Sequence, residues 1–218
     1  MRKLLTFLFI ACAVLMYAQE QDPKAKAILD EVSKITKAYK TISADVVFTI
    51  FDKNKKAVDK PQNWKVMVKG SKFKLEIPGT VIVCDGKTLW NYNKDAKEVT
   101  IKNFDPNNED QNPSTIFTMY ETGYKYKYDK EQTVGAVVCY EIDLYPAVKP
   151  EKKQFHTVKL LVNKTKKQIV QLKMLMKKDG TTQVYDIKTM KANTEMPDAT
   201  FTFDTKGFKA DQISDERD

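Results

Sequence analysis

Two β-prone runs that meet at an Asp-Gly pair, Val81-Ile82-Val83-Cys84-Asp85-Gly86-Lys87-Thr88-Leu89-Trp90-Asn91-Tyr92, constrain this chain more than any other stretch. Asp-Gly between apolar runs is the strongest short-range hairpin signal. A two-residue loop at Asp85-Gly86 sets Cys84 opposite Lys87, Val83 opposite Thr88, Ile82 opposite Leu89 and Val81 opposite Trp90. One face then carries Val81, Val83, Thr88 and Trp90, and the other Ile82, Cys84 and Leu89. Both faces are largely apolar, whereas an antiparallel sheet with one wet face alternates apolar with polar. The hairpin therefore asks for cover on two sides, and the function turns on what supplies the second.

Upstream, Asp22-Pro23 reads as a cap followed by a proline at the first helical position, and Ala25, Ile28, Leu29, Val32, Ile35 and Tyr39 then recur at helical spacing. After Thr41 the period changes from 3.6 to 2. Strands are expected over 44–51, 64–68, 73–77, 99–101, 124–128, 135–145, 157–163, 169–176, 183–190 and 200–203 in addition to the hairpin pair, twelve candidate runs for a sheet of about eleven strands. Residues 103–112 are polar, and Pro113-Ser114-Thr115-Ile116-Phe117-Thr118-Met119-Tyr120 offers a short helical segment. These runs make the chain mostly β (α+β), with a count compatible with a large curled antiparallel sheet beside an N-terminal amphipathic helix and one short helical segment. One helix and one short segment are too few to cover strands that are apolar on both faces. Either the strand faces cover one another in a closed core, or a half-closed barrel leaves an apolar hollow for a ligand. Pattern alone leaves both open.

Met1-Arg2-Lys3, the apolar run 4–18 and Gln19-Glu20-Gln21-Asp22 have the form of a secretory signal cut after Ala18, too short to span a bilayer. Processing at Cys12 as a lipobox is the alternative. The expected division is a signal over 1–18 and one domain over 19–218, at home in the periplasm. Net charge is +8, and removal of Arg2 and Lys3 would leave Arg217 as the single arginine. Lysines spread through strands and turns argue against nucleic acid, which favours arginine forks and clustered patches. They read as a solvated basic surface or as an attraction for anionic lipid headgroups or an acidic partner. Cys84 and Cys139 each sit in an apolar run, as buried thiols or as a disulfide.

Signals for catalysis are weak. His156 is the single histidine, no nucleophile elbow, phosphate loop or dinucleotide glycine pattern occurs, and Asp85 and Asp179 sit where turns want aspartate. No metal or cofactor is expected.

The run Val83-Cys84-Asp85-Gly86-Lys87-Thr88-Leu89-Trp90-Asn91-Tyr92-Asn93 resembles the outer-membrane lipoprotein carrier (LolA) family. Ile42-Ser43-Ala44-Asp45 after the opening helix, Asn112-Pro113-Ser114, and Met196-Pro197-Asp198-Ala199-Thr200-Phe201-Thr202-Phe203 fall in the same order as in that family. The resemblance implies an incomplete, curved antiparallel β-barrel with an N-terminal amphipathic helix and a short helical lid, which holds lipoprotein acyl chains on the way from the inner to the outer membrane. Its implied partners are an inner-membrane lipoprotein-release transporter and an outer-membrane acceptor, with the chain working as a monomer and not as an enzyme. A periplasmic lipid-binding sensor, or an enzyme on the same fold, are the alternatives. The family commonly has Arg-Pro after the strand that here ends Val68-Lys69, and its arginine latches the lid. Gly70-Ser71 stands there instead, so the lid is expected to rest on apolar contacts.

Candidates for the wall and lid of the hollow are Phe48, Ile50, Trp64, Val66, Val68, Phe73, Leu75, Trp90, Ile116, Phe117, Met119, Met174 and Met176, with Gly70 at the latch position. A dozen buried methylenes would contribute roughly 10 kcal/mol before costs, and flexible Met side chains suit varied chains.

Overall fold

In the computed structural model, which describes residues 21–106 and 117–217, Asp22 caps α1 (Pro23–Lys37) by accepting from the amides of Lys24 and Ala25. Its other carboxylate oxygen accepts from the Tyr128 amide at 2.9 Å, so the cap also ties the helix to the sheet. Burial works to raise the Asp22 pKa, but the three amides hold the carboxyl below its usual range. Ala25, Ile28, Leu29 and Val32 form the buried stripe that the helical period selects.

Twelve strands then make one sheet: β1 (Ile42–Phe51), β2 (Gln62–Lys69), β3 (Lys72–Ile77), β4 (Thr80–Cys84), β5 (Thr88–Asn93), β6 (Glu98–Asn103), β7 (Tyr124–Val134), β8 (Val137–Pro146), β9 (Phe155–Asn163), β10 (Ile169–Met176), β11 (Thr182–Ala192) and β12 (Ile213–Asp215). Their spatial order is β12-β6-β5-β4-β3-β2-β1-β11-β10-β9-β8-β7, antiparallel except for the β12–β6 pair. The chain starts in the middle, meanders out to β6, and resumes at the opposite edge with β7. It then meanders back until β11 pairs with β1. The connection 104–123 must therefore join the two far edges of an open, curved sheet. Phe104 and Phe117, near its ends, are both buried among residues of the concave face.

The hairpin differs from the sequence expectation by its loop. Cys84 pairs with Leu89, Val83 with Trp90 and Val81 with Tyr92, so the loop spans four residues, Asp85 to Thr88. The cause is the Asp85 side chain, whose Oδ1 accepts from the amides of both Lys87 and Thr88 at 2.8 Å and widens the turn. Gly86, at φ +96°, is required there, because a Cβ would meet Ser71 Oγ at 2.6 Å. A shift of two residues preserves the faces: Cys84 and Leu89 look into the concavity, and Val83 and Trp90 look out.

The outward apolar face of β4–β6 is covered by the chain's C-terminal segment. Residues 200–203, expected as a strand, instead end a short 3-10 turn (Asp198–Phe201) lying against β3. Phe201 is fully buried, and the rings of Phe203 and Phe208 pack on Tyr92 with centroids 5.4 Å away. The alternation that suggests a strand serves here to plant aromatics on one face. β12 then shields the exposed edge of β6. Cys84 and Cys139 are free and buried, on β4 and β8 at opposite ends of the sheet, so the disulfide alternative is corrected to two buried thiols.

Candidate functional site

Strand alternation sends Phe48, Ile50, Trp64, Val66, Val68, Phe73, Leu75, Ile82, Met174 and Tyr185 to one side of the sheet, as the pairs Phe48↔Tyr185, Val66↔Leu75, Val68↔Phe73 and Leu75↔Ile82 require. This concave side is closed unevenly. Over β7–β10, α1 seals Ile142, Leu144, Val158, Leu160, Val162 and Leu172. Over β1–β5, Phe104 and Phe117 sit on Val68, Phe73, Cys84 and Leu89. Between these plugs runs a half-exposed apolar band of Ile50, Trp64, Leu75, Ile77, Ile82, Met174 and Met176, with Met176 paired to Phe155.

At the middle of the band, three rings form one aromatic group. Phe48 stacks on Trp64 with centroids 4.6 Å apart, and Tyr185 lies 4.9 Å from Phe48 and 5.6 Å from Trp64. Their polar atoms are satisfied locally: Trp64 Nε1 donates to Gln62 and the Tyr185 hydroxyl to Gln183. Burial pushes the Tyr185 hydroxyl up to about 12, so it stays neutral. The band thus presents apolar and aromatic surface without free charge, an environment that accepts methylene chains and rejects ions.

The structure sorts the sequence candidates by depth and face. Ile50, Trp64, Leu75, Met174 and Met176 lie on the half-exposed band, with Phe48 beneath it. Val66, Val68 and Phe73 share its face but are buried core, Phe73 against Phe104 with centroids 5.7 Å apart. Trp90 is on the other side of the sheet, facing outward with Val83 and Ile101, and its assignment to the hollow is corrected. Ile116 lies outside the described residues, as do residues 1–20 with Cys12 and the signal run. Phe117 is buried and Met119 packs near α1, while Glu121 adds a polar clasp, accepting from Ser33 Oγ at 2.6 Å and pairing with Lys37 at 2.8 Å. Tyr185 and Ile82 were not singled out, because the β1–β11 pairing that brings Tyr185 to Phe48 joins residues far apart in sequence.

Gly70 occupies the β2–β3 turn at φ +59° with open space around it. The flanking lysines act instead, and on the tail. Lys69 Nζ donates to the Met196 carbonyl and to Asp198 Oδ1, and Lys72 Nζ to Asp198 Oδ2. Hydrogen bonds from Lys69 and then Lys72 hold the Asp198 carboxyl at about 2. A carboxyl depressed from 3.8 contributes its stabilisation above that value and loses it as pH falls through about 2. Asp198→Asn is expected to raise amide exchange at Thr200 and Thr202 severalfold at neutral pH, and the difference from the unmodified protein should vanish near pH 2.

Away from the tail, the convex side is polar. A groove of about 630 Å³ there is lined by outward-facing Asp45, Val47, Asn63, Lys65 and Glu76, and Val46, Trp64 and Ile77 also contribute to its wall. Asp129, Glu141 and Asp143 converge on the same side, and Lys159 Nζ sits among them, 2.7 Å from Asp143 and 3.0 Å from Glu141.

Comparison with known proteins agrees with this architecture. The sequence profile of the outer membrane lipoprotein carrier protein LolA matches residues 37–204. An uncharacterized protein of Methanocaldococcus jannaschii is 29% identical over 205 residues, covering 92% of this chain, which spans only 57% of that relative's length. Among solved structures, an uncharacterized conserved protein from Thermus thermophilus aligns with TM-score 0.59 at 15% identity, over 89% of this chain and 99% of its own. LprF from Mycobacterium bovis aligns with TM-score 0.51 at 12% identity, over 81% and 97%. At these identities the structures speak to the fold, and the profile match over most of the chain speaks to the family: this protein belongs to the LolA outer-membrane lipoprotein carrier family.

Proposed function

We propose that the protein binds the acyl chains of lipoproteins on the half-exposed band of its concave face and carries them through the periplasm from the inner to the outer membrane. The observation that carries this reading is the band itself, apolar side chains around the Phe48–Trp64–Tyr185 group that stay partly accessible where they pack against the α1 and Phe117 clusters. A partly accessible apolar band on one side of an otherwise charged protein suits an apolar ligand. Family membership supports the ligand class. The function is one of burial without bond-making, and the acidic trio on the convex side is paired with Lys159 and Lys130. An inner-membrane release transporter would load the carrier and an outer-membrane acceptor unload it.

Extraction of the protein purified from its native envelope is the test. Diacyl or triacyl lipopeptide should be recovered in near-stoichiometric amount and be displaced by a lipophilic dye. A protein that is lipid-free as isolated and takes up no lipopeptide would remove the proposal.

A further inference from the structure

Three segments meet at one end of the sheet: the β8–β9 connection 147–154, the β10–β11 turn 177–180, and the start of β7. The amides of Ala147 and Val148 both donate to the Gly123 carbonyl, Lys177 Nζ donates to the Pro150 carbonyl, and the Lys177 amide to Gln154. Lys125 lies across from Tyr145 in the β7–β8 ladder. Lys149, Lys152, Lys153, Lys177, Lys178 and Lys125 thus gather against two carboxylates, Glu151 and Asp179. Lys125, Lys149, Lys152, Lys177 and Lys178 are exposed, and among the described residues none of these five forms a salt bridge. Some lysines elsewhere are paired, as Lys69, Lys72, Lys159 and Lys164 are. In the middle of the basic group Val148 is 60% exposed and Tyr145 39% exposed, the first being the most exposed large apolar side chain described.

We propose that this end docks on anionic lipid headgroups, with the lysines facing the phosphates and Val148 entering the interface. Ammonium groups without carboxylate partners at the same end as an exposed apolar side chain are what a negatively charged bilayer surface selects, since charge draws the protein in and burial of the apolar tip holds it. The position gives the contact a use. Phe155 pairs with Met176 at this same end and stacks parallel to Tyr124, so the docked end lies beside the Met174–Met176 end of the apolar band. A headgroup held by the lysines would stand next to the surface proposed for its acyl chains. The docking goes beyond the carrier reading and stands or falls separately.

Vesicle flotation decides it, with phosphatidylethanolamine vesicles alone and with phosphatidylglycerol added. Binding is expected only with phosphatidylglycerol and should fade with added salt. The triple variant Lys149→Gln, Lys152→Gln, Lys178→Gln should bind roughly tenfold or more weakly, and Val148→Ser severalfold more weakly, both with unchanged melting temperature and unchanged affinity for an acyl probe. Equal binding to neutral vesicles, or a triple variant that binds like the unmodified protein, would overturn the proposal. So would tight, lysine-dependent binding to poly-glutamate without vesicle binding, which assigns the patch to an acidic protein. Loss of acyl-probe binding alone would count against the carrier reading and leave the docking intact.

Discussion

Phe73→Ala will lower the unfolding free energy by about 3–5 kcal/mol, near the top of the range for a single core truncation. Phe73 is 1% exposed, wedged between Val68 and Cys84 on neighbouring strands, in one buried cluster with Phe104 and Phe117. Removing the ring leaves a void that three separate parts of the chain would have to collapse into, which close packing resists. Chemical denaturation reads the effect as a lower midpoint with unchanged slope. A loss below about 1 kcal/mol would show that the crossing segment is not packed on the sheet.

Leu75→Glu should do the opposite: a modest stability loss and a loss of acyl binding of more than about tenfold. Leu75 lies two residues along the same face, between Val66 and Ile82, but half-exposed, so a carboxylate there can reach water in the empty protein. A bound alkyl chain would bury that charge, and burying an unpaired charge costs far more than a lost methylene contact. Dye displacement by lipopeptide, compared at equal folded fraction, separates the two variants. Equal acyl affinity in Leu75→Glu would place the ligand elsewhere.

The contrast between these neighbours marks how far the sequence could be read. Period 2 puts Phe73 and Leu75 on one face and assigns both to the wall. What separates core from wall is Phe104 and Phe117, delivered by a connection between opposite sheet edges that no local pattern announces. The cap and stripe of α1 were legible because Asp22, Pro23 and the helical period act within a few residues. The hairpin faces were legible and its loop length was not, because the Asp85 carboxylate's bonds to two amides decide the turn. Trp90 was misplaced for a related reason. Both hairpin faces are apolar, so parity alone does not say which is concave, and the answer lies in Phe201, Phe203 and Phe208 more than a hundred residues on. Gly70 stands where the resemblance expects an arginine, and the lysines beside it bond Met196 and Asp198 of the tail.

The two tryptophans offer the most direct test of the central claim, because they report opposite faces of one sheet. Trp64 stands on the concave band against Phe48, and Trp90 faces outward beside Val83 and Ile101. Single-tryptophan proteins, Trp90→Phe and Trp64→Phe, titrated with a diacyl lipopeptide, should respond differently. Emission from Trp64 should shift to the blue and saturate as the chain excludes water from the indole, while emission from Trp90 stays unchanged. A saturable response from Trp90 with none from Trp64 would contradict a lipid site on the concave face.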